Sequence, residues 1–112
     1  MNTKKVYVLI QARMDSKRLP GKVLKKIKGK TLIEILLDRL RKSKRPDKLI
    51  VLTSTSQSDD VLANYLKNKS ITYFRGDEND VLDRYYSAVK KYPCDYVVRI
   101  TGDCPLVDPN LL

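Results

Sequence analysis

A chain of 112 residues has room for one hydrophobic core, and at 42% hydrophobic residues it is too apolar to be disordered throughout. It contains no histidine, which excludes Ser-His-Asp and Cys-His catalysis and leaves Cys94 and Cys104 without the usual partners for zinc. The net charge of +10 is lopsided: residues 1–48 carry sixteen Lys and Arg against four Asp and Glu, whereas residues 49–112 carry seven against nine.

The first element in the chain is Lys5 to Gln11, rich in β-branched and aromatic residues, which predicts a strand buried on both faces. Gln11 and Arg13 end its apolar run too early for a signal peptide, and no stretch reaches the length of a membrane helix. The expected setting is therefore the cytoplasm, with no membrane partner, and the two cysteines are expected to be reduced and mostly buried. Ala12 to Lys30, with Pro20-Gly21 and Gly29, lacks periodicity and is expected to form a long ordered loop. Thr31 opens a helix, with Glu34 completing a capping box. Leu32, Ile33, Leu36, Leu37 and Leu40 fall on one face of it, and Arg39, Arg41 and Lys42 suit its C-terminal dipole.

Leu49 to Thr53 predicts a second strand, followed by a helix that Ser58 would cap and that carries Val61, Leu62, Tyr65 and Leu66. Ile71 to Phe74 predicts a third strand, ended by Arg75-Gly76. A helix from about Asp80 follows, with Val81, Leu82, Tyr85, Tyr86 and Val89 on its apolar face, and Tyr96 to Ile100 predicts the fourth strand. Strands and helices alternate with little sign of hairpins, which implies crossover units, a mainly parallel sheet and helices on both faces. Ligands bind such sheets outside the carboxyl ends of the strands. Three polar segments leave those ends, Gln11 to Lys22, Thr53 to Ser58 and Thr101 to Asp108, and they can converge on one site.

The first of these segments sets Arg13, Lys17, Arg18 and Lys22 on one short loop, with Ser16 as a hydroxyl donor and Pro20-Gly21 at its turn. Such a loop can wrap a triphosphate with backbone N–H groups and charge-assisted bonds, and from charge alone it could equally be solvated surface. It is neither a Walker A loop nor a Rossmann G-x-G-x-x-G, which removes the main support for an ATPase or a dehydrogenase. Lys25, Lys26, Lys28, Lys42 and Lys44 are expected to be solubilising surface. Asp103, behind a strand and a glycine, stands where a carboxylate can meet magnesium, whereas Asp108 before Pro109 reads as a turn cap. For Arg84, a helix-surface ion pair with Asp80 and a functional role stand level.

Ile10-Gln-Ala-Arg-Met-x-Ser-x-Arg-Leu-Pro-Gly-Lys22 resembles the signature of the cytidylyltransferases that include CMP-ketodeoxyoctonate and CMP-sialic acid synthetases. Gln11 in place of a proline is similar to the branch of spore coat polysaccharide biosynthesis protein F. Phe74-Arg75-Gly76, Asp80-Val81-Leu82-x-Arg84-Tyr85 and Arg99 to Leu106 match that branch in order and spacing. The resemblance runs from about Val6 to the last residue. It implies a Rossmann-like, three-layer nucleotidyltransferase domain of the glycosyltransferase-A type, of which residues 1–112 are the nucleotide-binding, N-terminal part.

It further implies that Arg13, Ser16, Arg18 and Lys22 bind the CTP phosphates, with Arg18 and Lys22 acting in catalysis. Arg75 and Thr101 would lie near the nucleoside or sugar, and Asp103 would bind Mg2+. The implied reaction is transfer of CMP from CTP to an acidic sugar, in the biosynthesis of a cell-surface polysaccharide. Asp15 departs from the family pattern, which has a small residue there. The second metal carboxylate, most of the sugar pocket and the dimer contact are expected beyond Leu112, so a homodimer would need that missing half. Two rival readings are a noncatalytic nucleotide-binding remnant and, motivated by the charge, a basic nucleic-acid-binding module. No nucleic-acid motif accompanies that charge, and no nucleic-acid partner is expected.

Overall fold

A computed structural model describes residues 4–14, 22–42 and 46–101, apart from the side chains of Lys22 and Thr101. In chain order the elements are β1 (Val6–Gln11), a 3-10 turn (Lys22–Leu24), β2 (Lys26–Ile27), β3 (Lys30–Thr31) and α1 (Leu32–Arg41). They continue with β4 (Lys48–Ser54), a 3-10 turn (Gln57–Asp59), α2 (Asp60–Asn68), β5 (Tyr73–Gly76), α3 (Val81–Lys91) and β6 (Tyr96–Thr101). Four strands form one sheet in the order β5-β4-β1-β6, and every neighbouring pair is parallel. Among the described residues no helix is long and apolar enough to cross a membrane.

The chain steps outward from β1 through α1 to β4 and through α2 to β5, then returns over the sheet through α3 to β6 on the far side of β1. Right-handed crossovers put the helices of opposite steps on opposite faces. Accordingly Val8, Ile10 and Val51 pack with Ile33, Leu36, Leu37 and Leu40 of α1 and with Leu62 and Leu66 of α2. The alternate residues Leu9, Ile50 and Leu52 pack on the other face with Tyr85, Ala88 and Val89 of α3. This three-layer α/β arrangement is the expected one. It puts the reversal of strand order between β1 and β6, where Gln11 pairs with Thr101.

Helix α1 follows its sequence pattern: all five expected apolar positions are buried and Thr31 is the N-cap, accepting from the Glu34 N–H at 3.3 Å. The capping box is half made, because the Glu34 carboxylate turns to the Tyr65 hydroxyl. Four other expectations are corrected. The segment read as loop up to Lys30 contains an antiparallel hairpin, β2–β3, turning through Lys28 (φ 52) and Gly29 (φ 89). Two successive positive φ values make the primed turn that hairpins favour, with Lys in the place where Asn is the usual signal. Ser58 caps nothing; Ser56 accepts from the Ser58 N–H and caps the 3-10 turn that leads into α2, on which Val61 is exposed.

Strand β5 begins two residues later than its apolar run and takes in Arg75 and Gly76, because its register is set by β4, Thr53 facing Arg75 and Ser54 facing Gly76. Helix α3 is rotated relative to its apolar pattern. Leu82 is 74% exposed and Tyr86 63% exposed, whereas Arg84 is fully buried. Arg84 therefore makes no surface pair with Asp80, which instead caps α3 through the Asp83 N–H. Of the cysteines, Cys94 is half-buried and free, its thiol pushed up in pKa chiefly by burial, while Cys104 lies outside the described residues.

Candidate functional site at the carboxyl edge of the sheet

Because the strands run in parallel, Gln11, Ser54, Gly76 and Thr101 end at one edge, and the segments that follow the first three meet there. Their meeting point is Asp59, at the end of the 3-10 turn before α2. Its carboxylate is wholly buried and takes donors from three places. The Ser54 hydroxyl bonds Oδ2, the Met14 N–H reaches Oδ1 at 2.8 Å, and Arg13 Nε reaches Oδ2 at 2.7 Å. Burial raises the pKa of this carboxyl, but the bonds from Ser54, Met14 and Arg13 outweigh it and hold the group below the ordinary carboxylate value.

Arg13 is held from a second side. Its Nη1 donates to the Glu78 carbonyl at 3.3 Å, and its Nη2 stands 3.9 Å from the Glu78 carboxylate. That carbonyl belongs to a turn fixed from beneath by Arg84. Arg84 Nε and Nη2 donate to the Asp77 carbonyl at 2.9 and 2.7 Å, and Nη2 also to the Glu78 carbonyl at 2.9 Å. Arg84 can lie there only because residue 76 has no side chain. A Cβ on Gly76 would stand 2.6 Å from Arg84 Cγ and 3.1 Å from Arg84 Cα. Burial, and then the nearby charge of Arg13, pull the Arg84 pKa down, while Asp59 and Asp77 oppose the shift.

Arg75 serves the neighbouring turn. Its Nε donates to the Ser54 carbonyl at 2.8 Å, and its Nη2 to the Ser56 carbonyl at 3.0 Å and to Asp60 Oδ1 at 2.7 Å. The adjacent carboxylates Asp59 and Asp60 thus each hold an arginine from a different strand end, β1 and β5. Asp60 is also the first residue of α2, where a negative charge suits the helix dipole.

Of the residues expected at the site, Arg13 and Arg75 lie on either side of the Asp59-Asp60 pair. Lys22 and Thr101 are placed by their backbone, Lys22 opening the first 3-10 turn and Thr101 ending β6 beside Gln11. Ser16, Arg18 and Asp103 lie outside the described residues, as does Asp15. Among the described residues no cluster of three acidic, His or Cys side chains could hold a metal. The carboxylates of this edge are taken by protein donors, Asp77 by the Asn79 and Asp80 N–H groups. A cavity of about 300 Å³ opens at the opposite edge, between Leu40, Asp47 and Thr72, away from every residue above.

The residue that sequence reasoning missed is Asp59; Ser54 and Gly76 lie in segments expected there but without an assigned role, and Arg84 was only half seen. Asp59 and Asp60 follow the serine expected as cap, and nothing in their spacing tells that one of the two acids turns inward.

The family model for cytidylyltransferases matches residues 7–112. The chain is 40% identical over 111 residues to the spore coat polysaccharide biosynthesis protein SpsF of Bacillus subtilis, covering 96% of this chain and 46% of that protein. It is 31% identical over 107 residues to the 3-deoxy-manno-octulosonate cytidylyltransferase of Syntrophotalea carbinolica, covering 96% of this chain and 42% of that one. Among solved structures, a cytidylyltransferase from Leptospira borgpetersenii superposes with a TM-score of 0.88 at 42% identity, over 97% of this chain and 46% of the other. The chain thus spans less than half the length of each of these three relatives. Over nearly all of its own length, sequence and fold agree, and the chain belongs to the cytidylyltransferase family.

Proposed function

We propose that this chain holds CTP at the carboxyl edge of the sheet, in the crevice between β1 and β6, and that the whole protein transfers CMP to a hydroxyl of an acidic sugar. The observation that carries this reading is the reversal of strand order. Gln11 pairs with Thr101, so the basic segment leaving β1 and the Thr101-Gly102-Asp103 segment leaving β6 start side by side. Open α/β sheets bind their ligands in that crevice.

In this reading Ser16, Arg18 and Lys22, with Arg13, bind the triphosphate, Arg18 and Lys22 countering the charge that develops on the phosphoryl oxygens. Arg75 and Thr101 lie toward the nucleoside and sugar. The acceptor hydroxyl attacks the α-phosphorus, a new P–O bond forms, and the bond to the β-phosphate oxygen breaks, so that pyrophosphate leaves and the hydroxyl proton is released. No enzyme nucleophile takes part, and positioning and charge neutralisation supply the acceleration. Magnesium bound through Asp103 would add further charge neutralisation. The relatives' names favour a sugar acid as acceptor and polysaccharide biosynthesis as the setting.

Calorimetric titration with CTP, ATP and GTP in the presence of magnesium tests the nucleotide, and equal affinities would mean that the base is not read. Arg18→Ala should weaken CTP binding by about 1.5–3 kcal/mol, the scale of a charge-assisted hydrogen bond. Lys25→Ala, on an exposed residue outside the motif, should change it little. Equal losses in the two variants would reduce the loop to generic positive surface. A steep fall of affinity with salt, shared by DNA, would favour the nucleic-acid reading instead.

A further inference from the structure

We propose that Asp59 is the positioning residue of the phosphate site: its buried carboxylate fixes the direction of Arg13 and the path of the chain into the basic loop. The inference rests on the reading of that loop as the CTP site.

Three observations carry it. Asp59 is fully buried, which is costly for a carboxylate unless it is paired, and its donors come from the end of β4 and from two consecutive residues after β1. The bond from the Met14 N–H holds the main chain where the loop begins, and the bond from Arg13 Nε holds the side chain one residue earlier. Arg13 is also gripped through Nη1 by the Glu78 carbonyl, which Arg84 fixes in turn. A free arginine gives up much of its rotamer entropy when it binds a ligand. An arginine already clamped on two sides gives up much less, which is what preorganisation means for a phosphate site.

Charge and positioning predict effects of opposite sign. Asp59→Asn deletes a negative charge beside a site for a triphosphate, and simple Coulomb attraction would then make CTP bind more tightly. Positioning predicts that it binds more weakly.

The test is calorimetric titration of CTP into the full chain and into Asp59→Asn, Arg13→Ala, the double variant and the surface control Asp38→Asn. Asp59→Asn should weaken CTP about tenfold, add nothing further on the Arg13→Ala background, and abolish the protected Arg13 Nε–H signal in a proton–nitrogen NMR spectrum. A merely structural role would leave the two losses additive. Should Asp59→Asn not fold, Arg13→Lys asks the same question, since it keeps the charge and removes the Nε donor; it should also lose about tenfold. Unchanged or tighter binding in Asp59→Asn, additive losses in the cycle, or full affinity in Arg13→Lys would each overturn this inference alone. Failure of the unaltered chain to bind CTP at all would overturn the proposed function, and this inference with it.

Discussion

On the face that carries α1 and α2, Val8, Ile10 and Val51 meet aliphatic side chains, four of them from α1 and two from α2. On the face that carries α3, Leu9, Ile50 and Leu52 meet Ala88 and partly buried aromatic side chains, and the most deeply buried large side chain of the helix is an arginine. The first face is held by shape and apolar area, and it tolerates little besides hydrocarbon. The second gives up apolar contact at its carboxyl edge so that a charged group can hold a turn at the site. Aliphatic packing is concentrated on the first face and the buried arginine belongs to the second, and substitutions can separate the two contributions.

The largest effect is expected on the first face. Leu36→Ala removes a fully buried side chain from α1 and should lower stability by about 2–5 kcal/mol in denaturant unfolding. A smaller loss would show that the packing between α1 and the sheet relaxes easily. On the second face, Gly76→Ala forces a Cβ against Arg84 and should lower stability by about 1–3 kcal/mol. The same substitution on an Arg84→Ala background should be milder, because the nearest clashing atom, Cγ, is gone. Equal losses on both backgrounds would take Arg84 out of the explanation.

Thr31→Ala removes the cap of α1 and should lower the unfolding free energy by about 1 kcal/mol, again on the first face. The smallest effect concerns pH and the buried charge at the start of α2. The Asp59 carboxyl lies below its ordinary value of 3.8 in the fold, so the unfolded chain binds more protons in that window. Its contribution should be fully present above the ordinary value and fade as pH falls through the lower, folded one. The acid limb of a pH–stability curve should therefore flatten in Asp59→Asn, and an unchanged limb would assign the slope to other carboxylates.

The same division explains what could be read from the chain itself. Helix α1 was legible because each of its buried positions is apolar and its cap is a threonine, so pattern and packing coincide. Helix α3 was misread because Leu82 and Tyr86 look like core residues and Arg84 looks like surface. Its true rotation depends on carbonyls of Asp77 and Glu78 and on the missing side chain of Gly76, which no periodicity records. At the site, the strand-end segments and Arg13 and Arg75 were visible as polar residues following apolar runs. Asp59 was not, because an inward carboxylate and an outward one share the same letter. The turn at Lys28-Gly29 escaped for a related reason: a lysine gives no hint of the positive φ it adopts.

Strand β1 occupies the middle of the sheet, and its two partners reach it on very different schedules. Val8 pairs with Leu49, 41 positions along, whereas Val6 pairs with Tyr96, 90 positions along. Contacts between distant segments close slowly, since the intervening chain must first give up its freedom. The half-sheet of β1, β4 and β5 can zip up while residues 96–101 are still emerging from the ribosome. Among the described strands, the pairing of β1 with β6 is then the last to form, and an incompletely folded chain would carry its core before it carried the crevice proposed for CTP.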